Sequence, residues 1–339
     1  MKALVCTKPR TLEVRDEPEP QPRPDQAVLQ VLGTGICGSD MAGFLGHSTR
    51  RHPPLILGHE VVGTVLSAPP GDWPFRIGDR VVANPVQACT RCENCRAGKA
   101  NICSGWILLG MDQEPGAFAE RVAVAARNLL PVDPTAPLAQ AAMTEPLANG
   151  VHLFGLIERH GFGSLAILGG GTQGILLLQL ARALGYRRIV VADTNPARLA
   201  VARLHGARLA IDPRMQNPAD AVLEWTGGRG VDVAIDAVGS GEVRRWAVAM
   251  TRKGGEVLLL GLHEGSSEIN FAAVVRHEIR LQGSFCYTEA DFRTSQRLLA
   301  EGEVNIAAHV VEAPLEEGHA VFERLARDPG DTLKVILKP

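Results

Sequence analysis

The sequence lacks a strong excess of charge of either sign. Its 339 residues include 35 lysines and arginines against 37 aspartates and glutamates, which gives a formal net charge of −2. Because nucleic-acid-binding domains concentrate positive charge, this balance argues against a nucleic-acid partner. The chain also lacks a block of like charges that would form an electrostatic tail, an internal repeat and a low-complexity segment.

Long apolar runs are missing as well. The N-terminal stretch MKALVCTKPRTLEV holds one short apolar run that charge interrupts within eight residues. That is shorter than the apolar region of a signal peptide, and no later stretch is long enough to span a bilayer. We therefore expect a cytoplasmic protein without membrane association, in which glutathione keeps most thiols reduced.

Cysteine is scarce, yet its distribution is uneven. Of seven cysteines, four follow a C-x2-C-x2-C-x7-C pattern: Cys89, Cys92, Cys95 and Cys103. Four thiolates complete the closed tetrahedral shell of a structural zinc ion, with no position left for a substrate. The iron–sulfur alternative has three residues before its last cysteine and a proline after it. Here the gap is seven and Ser104 follows, so we predict zinc; reduced cysteines without a metal are the other alternative.

Length and composition indicate two domains in one soluble, globular chain. The first 150 residues are irregular and β-rich, with short runs such as AVLQVLGTG (27–35), EVVGTVLSA (60–68) and DRVVANP (79–85). From residue 164 strands rich in Val, Ile and Leu alternate with helices, which predicts a parallel, doubly wound sheet of six strands. The tail returns to strand, helix and strand, and it either extends this sheet or folds back onto the first domain.

A glycine motif follows the first of these strands. The segment GGGTQG gives Gly169-x-Gly171-x-x-Gly174 directly between a strand and a helix. The three glycines allow a tight turn, close approach of a pyrophosphate and close packing of helix on strand. Thr172 and Gln173 begin the helix, whose N-terminus offers free N–H groups and a positive dipole end to the phosphates. The motif predicts a dinucleotide site.

An acidic residue ends the second strand of the same unit. Asp193 stands nineteen residues after Gly174, where a carboxylate accepts hydrogen bonds from the ribose hydroxyls. Its charge would repel a 2′-phosphate, which favours NAD over NADP. Arg198 qualifies this inference, because an arginine five residues further on could tolerate the phosphate.

A second candidate metal site is dispersed through the first domain. Cys37, the adjacent His59 and Glu60, and Glu145 offer one sulfur, one nitrogen and two carboxylate ligands. A catalytic zinc ion is typically held by three protein ligands with the fourth position open. Taken singly, each has another explanation: a small buried side chain, a core histidine and surface charges.

These motifs together resemble the zinc-dependent medium-chain dehydrogenase/reductase (alcohol dehydrogenase) family, especially its polyol and threonine dehydrogenase branch. The resemblance rests on GICGSD, GHE, GDRV, the four-cysteine lobe, GAFAE, EPLA, the glycine motif and KVILKP. It implies an α/β protein in which a GroES-like, β-rich catalytic domain, residues 1–148 and 287–339, encloses a Rossmann domain, residues 149–286. It also implies a homo-oligomer, either a tetramer or a dimer.

The resemblance implies a role for individual residues. Cys37 and His59 match the catalytic zinc ligands, Glu60 a ligand or close neighbour, and Glu145 a residue that binds zinc directly or through water. Asp40 matches the carboxylate that orients the histidine, and Ser39 the hydroxyl that takes the substrate proton. Residues matching the cofactor site are Leu260, Gly261, Leu262, Ser284, Phe285 and Lys334.

The implied activity is zinc-dependent, NAD-linked interconversion of a secondary alcohol and its ketone, with a polyol, a sugar alcohol or its phosphate as substrate. Two zinc ions per chain are expected, one catalytic and one structural. The alternatives are an L-threonine or amino-alcohol dehydrogenase and a non-catalytic protein of the same fold.

The chain also departs from the family pattern. Ala42 replaces a histidine that ends the proton relay in many relatives, so protons leave through water or another group such as His47. Gly43 and Cys286 replace a tyrosine and an arginine that touch substrate in sorbitol-type enzymes, although Tyr287 matches. The adjacent Arg50 and Arg51 have two interpretations, a solvated surface or contact with a phosphorylated or acidic substrate.

Overall fold

The computed structural model describes residues 1–158 and 163–339, so residues 159–162 of the predicted Rossmann domain lie outside the described part. The chain divides into two compact units. Unit 1 comprises Met1–Glu145, Thr288–Ala300 and Ile306–Pro339, and unit 2 comprises Pro146–Tyr287 and Glu301–Asn305. The sequence-based boundaries fall after residues 148 and 286, and residues 301–305 group with unit 2 rather than with the tail. No helix in the described ranges is both long and apolar enough to cross a membrane.

The elements follow one another in the order expected of a β-rich unit interrupted by an alternating one. The strands are β1 (Lys2–Lys8), β2 (Thr11–Asp16), β3 (Gln26–Gly35), β4 (Leu55–Ile56), β5 (Glu60–Ser67), β6 (Arg80–Ala83), β7 (Val86–Gln87), β8 (Ile107–Leu108), β9 (Arg121–Ala125), β10 (Leu129–Pro131), β11 (Ser164–Leu168), β12 (Arg188–Ala192), β13 (Leu209–Ile211), β14 (Val231–Asp236), β15 (Thr251–Leu259), β16 (Arg280–Gly283), β17 (Val310–Pro314) and β18 (Lys334–Lys338). The helices are α1 (Gly38–Phe44), α2 (Glu93–Arg96), α3 (Leu138–Ala141), α4 (Thr144–Gly155), α5 (Thr172–Ala183), α6 (Pro196–Leu204), α7 (Pro218–Trp225), α8 (Gly241–Met250), α9 (Phe271–Arg276), α10 (Glu289–Ala300) and α11 (Gly318–Arg327).

Unit 1 is built on a sheet in the order β10-β6-β5-β3-β18-β17, with β9 also pairing with β3. A three-stranded sheet, β2-β1-β4, and the short pair β7-β8 complete its β structure. The antiparallel pairing of β3 with β5 places Gly35 opposite Glu60 and Thr34 opposite Val61. This register decides which loops meet at the end of the sheet, because both strands continue into candidate metal-site residues.

The tail folds back onto unit 1, the second of the two predicted alternatives. Strand β18 pairs antiparallel with β3, with Ile336 opposite Gly35, and runs parallel to β17. It is an internal strand of the large sheet, and its apolar side chains Val335, Ile336 and Leu337 are buried. The tail therefore supplies core residues as well as strand pairing.

Unit 2 contains a six-stranded, all-parallel sheet in the order β13-β12-β11-β14-β15-β16. Numbered from its own first strand, this is the 3-2-1-4-5-6 order of a doubly wound nucleotide-binding fold. All residues of β11 and β14 are buried, as expected of strands with helices on both faces. The predicted α/β fold class, a β-rich unit together with a doubly wound parallel sheet, is confirmed.

A buried carboxylate lies at the N-terminal end of the unit 2 sheet. Asp232 Oδ2 accepts hydrogen bonds from the Ser164 N–H (2.7 Å) and hydroxyl (2.9 Å), and Oδ1 accepts from Arg252 Nε (2.6 Å) and Arg229 Nη2 (2.8 Å). Burial raises the pKa of Asp232, but the Arg252 and Ser164 hydrogen bonds outweigh it and hold the pKa at about 2. The carboxylate thus ties β11 to β14 as an anion.

We predict that Asp232→Asn lowers the free energy of unfolding by about 1–3 kcal/mol at pH 7, because a charged acceptor of several hydrogen bonds is lost. The folded-state pKa of about 2 lies below the ordinary 3.8. The stabilisation by the carboxylate is therefore complete at pH values above 3.8 and is lost as the pH falls through about 2. Urea unfolding followed by circular dichroism at pH 7 and pH 3 measures both effects.

Asp212→Asn is the matched control, since the Asp212 ion pair with Arg214 lies at the surface. Surface pairs contribute little, so this variant should lose much less stability than Asp232→Asn. Equal losses in the two variants would contradict a stabilising role for the buried carboxylate.

Candidate metal centres and nucleotide site

Strand pairing in unit 1 assembles the first candidate metal centre. Cys37 follows β3 by two residues and precedes α1, while His59 and Glu60 stand at the start of β5. Because Gly35 pairs with Glu60, the ends of the two strands meet, and the ligand atoms of Cys37, His59 and Glu60 lie within 4.8 Å of one another. Glu145, in the first turn of α4, is buried but does not belong to this group.

Asp40 connects the two segments that carry Cys37 and His59. Its Oδ2 accepts the Cys37 N–H (3.0 Å), its Oδ1 accepts the Gly58 N–H (3.2 Å), and Oδ1 lies 3.4 Å from His59 Nδ1. Burial alone would raise the pKa of Asp40, but His59 and Arg51 outweigh it and hold the pKa at about 2. A carboxylate on Nδ1 leaves Nε2 of the ring for a metal ion.

The electrostatics of this pocket favour a cation. Burial lowers the pKa of His59, yet the Asp40 carboxylate and the Cys37 thiol raise it well above its ordinary value. Acidic groups around a buried imidazole also favour a bound divalent cation. One sulfur, one imidazole and a carboxylate are also the ligands zinc prefers, so the residues fit a zinc ion.

Lys334 lies at this centre. Its ammonium is buried and donates to Glu60 Oε1 (2.6 Å), Glu60 Oε2 (2.7 Å) and the Ile36 carbonyl (2.9 Å). Burial lowers the pKa of Lys334, but Glu60 and Cys37 raise it above its ordinary value. These bonds occupy all three donors, so this placement does not support the predicted pyrophosphate contact.

The predicted proton-relay residues differ in their exposure. Ser39 is half-buried in the first helical turn, two residues after Cys37, whereas His47 is exposed beyond the end of the helix.

The adjacent residues Arg50 and Arg51 differ in burial. Arg50 is a surface residue that pairs with Asp112, while Arg51 is buried, so the solvated interpretation is wrong for Arg51.

The four clustered cysteines form the second candidate metal centre. They are free thiols, with Sγ–Sγ distances of 3.5 Å for Cys92–Cys95, 3.8 Å for Cys92–Cys103 and 3.9 Å for Cys89–Cys95. A tetrahedral shell with Zn–S bonds of about 2.3 Å separates its sulfurs by about 3.8 Å. The N–H groups of Cys89 and Gly105 both donate to Cys103 Sγ at 3.3 Å. The geometry fits a structural zinc ion.

In unit 2, the glycine motif forms the turn between β11 and α5. Gly169 has φ +109, in the left-handed region, and a Cβ on Gly174 would overlap the Gly169 carbonyl oxygen. Asp193 follows β12 and accepts the Gly170 N–H (2.6 Å) and the Asn195 N–H (2.7 Å). The acidic residue therefore lies against the glycine turn, as the motif predicts. Thr172 and Gln173 form the first turn of α5.

Arg198 also lies over this turn. Its Nη1 is 3.9 Å from Asp193 Oδ2, and a Cβ placed on Gly171 would be 3.6 Å from the same nitrogen. Acidic and basic groups therefore share the place where the ribose end of a dinucleotide binds in this fold.

The predicted nicotinamide-side residues line one cavity of unit 2. Gly261, Leu262, Ser284 and Phe285 contribute to a cavity of about 630 Å³, whereas Leu260 does not.

Sequence reasoning missed two residues of this region, Gly239 and Arg244. A Cβ on Gly239 would overlap the backbone of Gly261, so the loops after β14 and β15 touch without side chains. The signal was a glycine three residues after a buried strand.

Arg244 was missed as well. It donates to Ser267 Oγ (2.9 Å) and the Glu264 carbonyl (2.9 Å), and its Nε lies 3.5 Å from the buried Asp236. These contacts hold the loop after β15 against α8. Nothing in local sequence spacing identifies an arginine that pairs with a carboxylate of another element.

Two family models match the chain. The model described as an alcohol dehydrogenase GroES-like domain matches residues 23–134, and the model described as a zinc-binding dehydrogenase matches residues 174–301. The first match lies within unit 1, which holds both candidate metal centres. The second covers most of unit 2, beginning at Gly174, the last glycine of the turn, and also includes residues 288–300 of unit 1. The fold and the sites thus define a zinc-binding dehydrogenase.

Full-length relatives agree. The chain is 30% identical to a sorbitol dehydrogenase of Bacillus subtilis, covering 100% of this chain and 97% of the relative, and 30% identical to an L-threonine 3-dehydrogenase of Chelativorans, covering 97% and 93%. An NADP-bound structure of a zinc-binding dehydrogenase from Sinorhizobium meliloti matches with a TM-score of 0.90 and 30% identity, covering 100% and 99%. The chain belongs to the zinc-dependent medium-chain alcohol dehydrogenase family, which confirms the resemblance.

We predict that Cys95→Ser lowers the zinc content from about two ions per chain to about one, because an incomplete shell binds zinc weakly. The melting temperature should fall with it, since a structural site contributes its binding energy to folding. Mass spectrometry of metal content and differential scanning calorimetry measure the two effects. Cys6→Ala, at a buried thiol whose pKa burial raises to about 11, should keep both ions. An unchanged zinc content in Cys95→Ser would argue against the four-cysteine site.

Proposed function

We propose that this protein is a zinc-dependent dehydrogenase that interconverts a secondary alcohol and its ketone, with a nicotinamide nucleotide as the redox partner. The observation that carries the proposal is the group of Cys37, His59 and Glu60 ligand atoms within 4.8 Å, with Asp40 behind the histidine. The preferred substrate class is a polyol, a sugar alcohol or its phosphate. The sorbitol dehydrogenase relative supports this class.

Cys37 and His59 are the proposed zinc ligands, with a third from Glu60 or Glu145. To bind the metal, Glu60 would have to share a carboxylate oxygen with Lys334, to which both of its oxygens are bonded. These residues would hold a zinc ion that would supply Lewis-acid chemistry toward the substrate hydroxyl. Asp40 keeps the histidine in the tautomer with its proton on Nδ1, leaving Nε2 free.

Ser39 is proposed to take the proton of the substrate hydroxyl. Its position in the first turn of α1, two residues after Cys37, places it beside the metal ligand along the chain. Ala42 has no group to pass the proton on, so water, or the exposed His47, completes the route. A nicotinamide nucleotide bound at the glycine turn supplies the hydride acceptor.

NAD is the proposed cofactor, since Asp193 places a carboxylate against the glycine turn. Arg198 lies 3.9 Å from that carboxylate, and one relative of 30% identity binds NADP, so the discrimination is expected to be moderate. We further propose a homo-oligomer, dimer or tetramer, in the cytoplasm.

An L-threonine or amino-alcohol dehydrogenase is the second candidate function, favoured by a relative of equal identity. A non-catalytic protein of this fold is the third. The same experiment distinguishes all three.

We predict that the zinc-loaded protein reduces NAD⁺ with at least one polyol, sugar phosphate or simple secondary alcohol of a substrate panel, followed by absorbance at 340 nm. Cys37→Ser should lower kcat/KM by about 100-fold or more, because a ligand of the Lewis acid is lost. Cys6→Ala should retain activity. Turnover of L-threonine alone would favour the second function, and a wild-type protein inactive on the whole panel would favour the third.

We predict that Asp193→Asn raises the NADP-to-NAD ratio of kcat/KM by about tenfold or more, because the repulsion of a 2′-phosphate disappears. The amide keeps an oxygen that can accept the Gly170 N–H, so the turn should survive. Asp16→Asn is the control, since Asp16 pairs with Lys2 at the surface of unit 1, and it should leave the ratio unchanged. If the ratio in Asp193→Asn equals that of the wild type, the ribose does not bind at Asp193.

A further inference from the structure

Arg51 is a buried arginine without a hydrogen-bond partner for two of its nitrogens. Its side chain is 3% exposed, and Nε and Nη2 are buried with no hydrogen bond among the described residues. The nearest opposite charge is Asp40, whose Oδ1 lies 3.7 Å from Nε. Burying a guanidinium is costly unless a carboxylate compensates its charge, so this pair is unlike an incidental surface contact.

The surrounding chain is shaped to hold the guanidinium there. A Cβ on Gly43 would lie 2.9 Å from Arg51 Cδ and 3.0 Å from Arg51 Cβ, so the glycine provides the space for the stem of the arginine. Ser48 Oγ accepts the Arg51 N–H at 3.1 Å and the Arg50 N–H at 3.2 Å, which sets the turn that sends the two side chains apart.

The neighbouring residue, Arg50, has different surroundings. Its side chain is 40% exposed, it pairs with Asp112, and its guanidinium lies 4.2 Å from the Trp106 ring. Two consecutive arginines therefore have different surroundings, one at the surface and one at a buried carboxylate. The contrast supplies a matched pair of positions for experiment.

The contacts of Asp40 require that its carboxylate be held in one position. Its two oxygens accept the N–H groups of Cys37 and Gly58 and face His59 Nδ1, and the residue is fully buried, so water does not solvate the charge. A histidine that binds a metal through Nε2 is a neutral ring. In that state, Arg51 is the cationic side chain that lies beside the carboxylate.

We propose that Arg51 is a positioning residue that holds Asp40 in place as an anion and thereby fixes the orientation of His59 at the candidate zinc centre. The inference deepens the proposed function and rests on zinc binding by Cys37 and His59. Without the guanidinium, the buried carboxylate loses the cationic side chain beside it, and its bonds to the two ligand-bearing segments loosen.

The test measures zinc affinity at this centre with zinc itself, by chelator competition on the intact protein and by counting bound ions with mass spectrometry. Arg51→Met, which keeps the length of the stem but removes the charge, should weaken the ion at Cys37 and His59 by about 10- to 100-fold. The ion of the four cysteines should stay. Arg51→Lys should recover most of the affinity, and Arg50→Met should stay within about twofold of wild type, because surface pairs contribute little.

Two further measurements separate positioning from a general loss of structure. In Arg51→Met, kcat should fall while the KM for the nicotinamide nucleotide stays unchanged. Gly43→Ala, which pushes the stem of Arg51 without removing its charge, should also weaken zinc binding, and it decides the matter if Arg51→Met does not fold.

Unchanged zinc affinity in Arg51→Met, or in Gly43→Ala if that variant has to decide, overturns the inference. So does a loss that Arg51→Lys does not reverse. If the wild type holds two zinc ions and oxidises a polyol while these variants bind zinc normally, the proposed function stands and only the role of Arg51 falls. A wild type that takes up a single ion, at the four cysteines, overturns both.

Discussion

The Asp40 carboxylate holds together the two chain segments on which the candidate zinc centre depends. Cys37 precedes α1 and His59 precedes β5, and the pairing of β3 with β5 only brings their backbones near each other. The carboxylate then bonds to the N–H of Cys37 and of Gly58, immediately before His59. The register of β3 and β5 brings Cys37 and His59 close together, and the Asp40 carboxylate orients them. The candidate zinc centre depends on both.

Charge at this centre is arranged in buried pairs. Glu60 is bonded to Lys334, and Asp40 lies beside Arg51 as well as His59. Buried charges are tolerated when an opposite charge or several hydrogen bonds compensate them. Both carboxylates are therefore compensated by side chains of opposite charge. The protein therefore tunes the centre with residues that need not bind the metal at all.

Local patterns predicted the parts of this structure that depend on nearby residues. The strand–helix alternation and the glycine spacing are set by neighbours in sequence, and the sheet order and the turn at Gly169 follow the expectation. Lys334 and Arg51 could not be placed in this way. A lysine in a strand and an arginine in a polar loop are ordinarily solvent-exposed, and only tertiary packing showed that each sits against a buried carboxylate.

The order of segments along the chain bears on how the protein is made. Strand β18 brings Lys334 into unit 1, yet it follows the whole of unit 2 in sequence. During synthesis, domains tend to fold as they emerge from the ribosome. The nucleotide-binding sheet can thus form early. The metal centre that begins at Cys37 is completed only after about 300 further residues have been translated, and until then Glu60 lacks its lysine partner and strand β3 lacks its neighbour β18. Until β18 has been synthesised, the glutamate can bind metal prematurely and the open sheet edge can pair with another unpaired strand.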